Sequence, residues 1–159
     1  MAVVGAVLLI GYPIVLSLGA APGFPAGDLS PEGNLAGVID RAVLGAHMWQ
    51  GAGGAFDPEG LLGTFPAVAT VLIGLFVGDY LREEARGVPK AIGIVAAGSL
   101  LIGTGLLWAT RFPLNKALWT SSYVLYTGGW AMVTLAALHW LIDVRGWRAW
   151  SKPLVVYGV

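Results

Sequence analysis

Four stretches of this chain are apolar for about the length that crosses a ~30 Å hydrocarbon core, which takes about 20 helical residues. They cover residues 1–18, 58–82, 90–110 and 122–142, and a fifth run starts at residues 153–159. The charged residues gather between these runs. A water-soluble domain wets its surface with roughly 25% charged residues, whereas this chain has 11% charged and 57% hydrophobic residues and a mean hydropathy of +0.76. The expected fold is therefore all-α: a polytopic membrane helix bundle with four full transmembrane helices, the start of a fifth, and one long outer loop, residues 19–57. The bilayer is its main partner. A signal peptide is the rival reading of the first run, because Gly19-Ala20-Ala21 follows it, but the run lacks a basic leading segment.

The formal net charge is zero, which gives a nucleic acid nothing to hold, since such partners need a basic stripe. Cysteine is absent, which removes disulfides, thiolate metal sites and cysteine nucleophiles, and no metal-ligating cluster is visible in the sequence.

Local signals refine the helices. Asp57 is placed to cap the second span, with Pro58 as its first residue, Glu59 in its first turn and Gly60 behind, all structural roles at the helix start. Pro66 is expected to kink that helix about two turns in. The third span carries Gly98, Ser99, Gly103 and Gly105, small residues that let helices approach closely in lipid, so it reads as a buried central helix. In the long loop, Asn34 can cap a short amphipathic helix with Leu35, Val38, Ile39 and Ala42 on one face and Gly45 as its stop. The last apolar run stops after about two turns, and the chain reads as a truncated piece of a longer protein.

Lysine and arginine set the orientation. Arg82, Arg86 and Lys90 lie in one loop, and Arg145, Arg148 and Lys152 in another on the same side, whereas the opposite side has Arg41, Arg111 and Lys116. Loops 82–90 and 145–152 are thus expected to be cytoplasmic, and loops 19–57 and 111–121 periplasmic or extracellular. Trp108, Trp119, Trp147 and Trp150 fall near span ends, where amphipathic rings settle.

Few groups have chemistry to offer. His139 reads as an interfacial packing histidine near Trp140 and Asp143, and Asp79 as the partner of Arg82. His47 is either a loop histidine or a site residue. Asp40-Arg41 reads as a local ion pair or a substrate contact. Asn115-Lys116, with Trp119 and Ser122, is either an interface anchor of snorkelling lysine and belt tryptophan or a ligand mouth, where an ammonium meets an anion and an indole stacks on a sugar.

Three strings carry a resemblance: Ile39-Asp40-Arg41 with Leu44-Gly45 and His47; Phe56 to Thr64 (FDPEGLLGT); and Pro113 to Val124 (PLNKALWTSSYV), followed by Ile142-Asp143-Val144-Arg145-Gly146. Together they resemble the transmembrane acyltransferases related to heparan-alpha-glucosaminide N-acetyltransferase and their bacterial relatives. The resemblance implies an inner-membrane bacterial protein and a larger acyltransferase domain, of which residues 1–159 are a middle and C-terminal part. It implies acetyl-CoA as donor and the amine of an amino sugar or glycan as acceptor. The family's catalytic histidine is expected upstream of this chain and does not map to His47. Asn115 and Lys116 would make polar contacts, Trp119 would stack, Asp40, Arg41 and His47 would shape the pocket, and Ser122 would line it. The missing N-terminal half, or further copies of the chain, would complete it. Two alternatives stay open, an amino-sugar transporter and an inactive partial product.

Overall fold

A computed structural model describes residues 1–83 and 87–158, apart from the side chains of Ala52 and Leu154. Six α-helices follow one another among the described residues: α1 (Ala2–Ser17), α2 (Leu35–Val43), α3 (Thr64–Arg82), α4 (Val88–Ala109), α5 (Ser121–His139) and α6 (Lys152–Tyr157). Among the described residues β pairing is limited to one isolated bridge, Ala20 with Asn34. Three helical segments among the described residues are long and apolar enough to span a membrane: α3, α4, and α5 with its continuation to Val144. α1 is apolar but has 16 residues. The chain is a helical membrane bundle.

The expected central place of the third span falls to α5, which packs on α1, α3 and α4. By contrast, α4 packs on α5 and its continuation and exposes Ile92, Leu100 and Leu107. Glycine decides how α4 and α5 meet. A β-carbon added at Gly98 of α4 would lie 2.8 Å from the Gly129 carbonyl oxygen, and one at Gly129 of α5 would lie 2.5 Å from the Gly98 oxygen. Gly105 meets the Tyr126 backbone nitrogen in the same way, at 2.7 Å. The two backbones touch directly, as small residues permit in lipid, where packing contacts rather than expulsion from water hold helices together. Below this contact Val77, Ile94, Met132 and Ala136 form a buried cluster. Towards the other end Tyr12, Leu16, Ala36, Phe112 and Leu118 form a second, which joins α1 and α2 to the loop after α4.

Pro13 interrupts α1. A proline has no N–H, so the carbonyl four residues back, that of Leu9, loses its helical donor. The Ser121 hydroxyl, fully buried at the start of α5, donates to that same oxygen at 2.6 Å. A neighbouring helix thus supplies the bond that hydrocarbon cannot.

Three expectations change at α3. The helix starts at Thr64 rather than at residue 58, and the residue ahead of it, Gly63, provides no side-chain cap. Asp57, Pro58 and Glu59 therefore lie outside the helix, in turns. The reason is local: Gly60 and Gly63 are poor helix residues, and the Asp40 carboxylate takes the Leu61 N–H at 2.9 Å. The later start also puts Pro66 in the first turn, where its missing N–H has no helical partner to lose, so the expected mid-helix kink has no cause. In α2, Asn34 does cap, accepting from Gly37 N at 2.7 Å. The face it buries is Ala36, Gly37 and Asp40, while Ala42 and Val43 are exposed. A buried polar contact, not apolar periodicity, sets how this helix is turned.

Lys90, expected as a loop cation, is 3% exposed. Its ammonium donates to the carbonyls of Leu81 at 2.9 Å and Glu83 at 2.6 Å, closing the C-terminal end of α3. Arg86 lies outside the described residues. Asp79 and Arg82 form the expected pair at 3.9 Å on an exposed surface. Past α5 the backbone widens into a π turn, Trp140–Val144, across which His139 Nδ1 meets Asp143 Oδ2 at 2.9 Å.

Gly129→Val is expected to force α4 and α5 apart and cost about 1–3 kcal/mol. Gly103→Ala, whose β-carbon meets nothing within 4 Å, should stay within about 0.5 kcal/mol of the parent, as ordinary surface changes do. Thermal unfolding in detergent compares the two. Ser121→Ala, which strands the Leu9 carbonyl, should cost about 1 kcal/mol by the same measurement.

Candidate functional site

The loop between α4 and α5 is built to hold one shape. The Thr120 hydroxyl donates to the Pro113 carbonyl at 2.9 Å and accepts the Asn115 N–H at 3.0 Å, while Thr120 N donates to the Asn115 carbonyl at 3.1 Å. Asn115 Oδ1 takes the Leu118 N–H at 3.2 Å, and the Tyr12 hydroxyl donates to the Leu118 carbonyl at 2.6 Å. Ser122, also fully buried, donates to the Pro113 carbonyl at 3.1 Å. Asn115 and Ser122 are thus consumed by the loop's own architecture, and Lys116 is left at its exposed tip. Among the described residues the Lys116 ammonium has no hydrogen-bond or ion-pair partner.

Trp119 takes φ +51°, the one positive value outside glycine among the described residues. A side chain in the left-handed region costs roughly 1–2 kcal/mol. The indole is fixed on both sides: Nε1 donates to Thr70 Oγ1 of α3 at 3.1 Å, and the ring stands edge-on to Tyr123 with centroids 5.4 Å apart.

Facing this loop is the segment from Gly45 to Gly63. Gly45, at φ +52°, turns the chain out of α2 into the short 3-10 turn that carries His47. Asp57 then ties the segment together, its two oxygens accepting from Trp49 N and Glu59 N, each at 2.9 Å. This is the true role of the residue expected to cap α3. Asp40, 1% exposed, accepts from Leu61 N through Oδ1, while Oδ2 has no partner. A β-carbon on Gly60 would overlap that carboxylate, so only glycine fits there. The expected Asp40–Arg41 ion pair is not formed: Arg41 donates to the Ala55 and Glu32 carbonyls, binding the loop across its width.

Between the two walls opens a cavity of about 820 Å³, bounded by His47, Trp49, Phe56, Asp57, Pro58, Glu59, Lys116, Ala117 and Trp119. The structure therefore brings together His47, Lys116 and Trp119, which sequence reasoning singled out, with Asp57, Pro58 and Glu59. Asp40, Arg41, Asn115 and Ser122 stay off the wall and hold the segments that form it. Trp49 and Phe56 were missed as site residues; the signal was their position at the two ends of a glycine-rich turn, which folds back on itself. A second cavity of about 280 Å³ adjoins the first, sharing Pro58, Glu59 and Trp119 with it. Among the described residues no three His, Asp or Glu side chains converge as metal ligands do.

The arrangement suits a polar ligand with flat faces. Indoles and a phenyl ring offer stacking surfaces, Lys116 a free cation, and Glu59 a free carboxylate, since the oxygens of Asp57 are already engaged. A cavity of this volume falls in the range of small-molecule sites.

Burial holds the Asp40 carboxyl above its ordinary 3.8; the Leu61 N–H opposes this, the charge of Asp57 adds to it, and that of Arg41 opposes it. The folded chain therefore binds this proton more tightly than the unfolded chain. Its stabilising contribution is complete below 3.8 and is lost as pH rises through the raised native value. Melting temperature in detergent should fall across that window. Asp40→Asn keeps the acceptor for Leu61 without a charge and should flatten the profile.

Among known proteins the chain is similar to heparan-alpha-glucosaminide N-acetyltransferase of Mus musculus, 29% identical over 156 aligned residues that cover 79% of this chain and 23% of that protein. It is likewise 29% identical over 153 residues to the protein of the same name from Homo sapiens, with the same coverage. The chain thus spans about a quarter of the length of the curated relatives it matches (23%). These two are its relatives, and the resemblance read in the three sequence strings stands. No family model matches the chain, and no solved structure matches it.

Proposed function

We propose, from the kinship with these N-acetyltransferases and from the chemistry of the outer cavity, that the chain is part of a membrane-embedded acyltransferase domain acetylating an amino sugar or glycan. The observation that carries this reading is one cavity in which a free ammonium, a free carboxylate and two indoles meet at the mouth of an apolar bundle. Aromatic faces stack on sugar rings, Glu59 attracts the acceptor's ammonium form, and Lys116 binds an anionic group on acceptor or donor. Acetyl-CoA is the donor in this reading. The acceptor nitrogen, as free amine, attacks the thioester carbonyl carbon; the C–N bond forms, the C–S bond breaks, and CoA leaves as the thiol with the proton the nitrogen gives up. The base that relays that proton is the family histidine expected upstream, not His47, which forms part of the acceptor wall.

Asn115, Ser122, Asp40 and Arg41 act as positioning residues here, keeping the two walls in register. The cavity faces the periplasm or exterior of a bacterial inner membrane, with loops 82–90 and 145–152 cytoplasmic, and the remainder of the domain comes from further protein or from another copy. Support for the sidedness is the distribution of lysine and arginine.

The test is transfer of labelled acetyl from acetyl-CoA to glucosamine by membranes carrying the protein. Lys116→Ala and Glu59→Gln should each lower kcat/KM at least ten-fold at equal protein level, about 1.4 kcal/mol of transition-state stabilisation. Accumulation of unmodified labelled glucosamine inside vesicles, with no acetylated product, would replace this reading with a transporter.

A further inference from the structure

The smaller cavity has a feature that a soluble sugar does not need. It runs beside the larger one, across Gly60 and Gly63 and onto Thr64 and Ala67, the first turns of α3. α3 is long and apolar enough to be a membrane span, and Phe65 and Val68, beside that line on one flank, expose 53% and 41% of their surface. Apolar residues that open, on a spanning helix, face hydrocarbon. The groove floor is therefore laid where the span enters the bilayer, and small residues keep it empty: a β-carbon on Gly63 would meet only the Gly60 carbonyl, at 3.5 Å.

The two cavities meet at Glu59 and Trp119. Trp119 is held at that junction by the Thr70 bond and the Tyr123 edge contact, at the expense of a left-handed backbone. Strain of this kind persists where the surroundings over-determine a residue, and such places gather at ligand sites. An indole also suits the boundary between headgroup and hydrocarbon. A chamber with Lys116 and Glu59 on a mostly apolar wall thus passes directly into a groove at the start of a membrane span, with a carboxylate and an indole at the threshold.

We propose that the acceptor is membrane-borne: an amino sugar carried on a hydrocarbon tail, its head in the outer cavity with the amine towards Glu59, its tail lying over Gly63 and Ala67 into the bilayer. This deepens, and rests on, the acyltransferase reading of the same cavity. The tail is already in lipid before binding, so the groove adds little hydrophobic affinity. It adds orientation, fixing the depth and direction at which the amine is presented.

Binding of dodecyl glucosaminide and of free glucosamine to the chain in nanodiscs tests this, with dodecyl maltoside as the tail-only control. Ala67→Trp, which fills the groove, should weaken dodecyl glucosaminide at least ten-fold and leave glucosamine within two-fold. Unchanged glucosamine binding also shows that the variant is folded. Because the chain has no cysteine, a single fluorophore on Ala67→Cys gives an independent measure: a tail-brominated glucosaminide should quench it far more than the same label on Val95→Cys, an exposed position of α4. Equal loss of both ligands in Ala67→Trp with equal quenching at the two labels would overturn the proposal, as would no loss of either. Dodecyl maltoside binding as well as dodecyl glucosaminide would also overturn it, since the head would then go unread. If neither amino sugar binds the parent chain, the acyltransferase reading fails and this one with it, an outcome distinct from glucosamine binding that ignores the groove.

Discussion

A backbone carbonyl in hydrocarbon has no water to turn to, and the chain is organised around finding each one a partner. Pro13 frees the Leu9 oxygen inside α1, and Ser121, from the start of α5, donates to it. The carbonyls ending α3 receive the Lys90 ammonium. The carbonyls of the loop after α4 receive Thr120, Ser122 and Tyr12. Two of these bonds, Ser121 to Leu9 and Tyr12 to Leu118, join residues 112 and 106 positions apart, so there the bonds that satisfy polar groups also set tertiary geometry. A break in either would both strand a carbonyl and loosen α1 from the start of α5 or the loop before it.

The glycine contact between α4 and α5 works with this constraint. Because the backbones touch at Gly98 and Gly129, the loop joining these helices has a fixed span to bridge. The buried cluster of Tyr12, Leu16, Phe112 and Leu118 anchors it against α1. The other wall of the cavity has no such helical frame. It is held instead by carboxylates taking backbone N–H groups, Asp57 from Trp49 and Glu59, and Asp40 from Leu61. One wall is positioned by packing, the other by charge-assisted bonds, and the cavity lies between them.

Most of the bundle was legible in the sequence because hydrocarbon thickness and apolar run length are directly linked. The small-residue spacing of the third span foretold its close approach to a neighbour but not its place, since α5 and not α4 is the helix that packs on three others. Asn34 was read correctly as a cap. The start of α3 was misread because Asp57-Pro58-Glu59 matches a helix-start pattern, and the bond that overrides it comes from Asp40, 21 residues away in sequence. The shared apolar face of α2 is half-buried at Leu35, Val38 and Ile39, but the Asp40 contact turns Ala36, Gly37 and Asp40 innermost, which the apolar period does not show. In the site, His47, Lys116 and Trp119 were visible as polar and aromatic residues on one side of the membrane. Trp49 and Phe56 were not, since only the closure of the glycine-rich turn brings them to the same wall. Asn115 and Ser122 looked like ligands because hydroxyl and amide groups are the same groups whether they bind substrate or backbone.

Lys90 and Lys116 show what decides between those two uses. Both lysines lie near the ends of spans, Lys90 in the first turn of α4 and Lys116 in the loop after it, yet one is buried in structure and the other, among the described residues, has an unpartnered ammonium. The difference is in the acceptors nearby. Lys90 lies beside the last carbonyls of α3, which lack helical donors, and its ammonium is the donor they receive. Around Lys116 the acceptors are already taken: the Asn115 carbonyl by Thr120 N, the Lys116 carbonyl by Trp119 N, and the Leu118 carbonyl by the Tyr12 hydroxyl. A loop that satisfies itself leaves its cation for something else. The unpartnered ammonium on the cavity wall thus follows from the completeness of the loop behind it, and in the proposed function the buried Thr120 and Tyr12 would bear on ligand binding without touching the ligand.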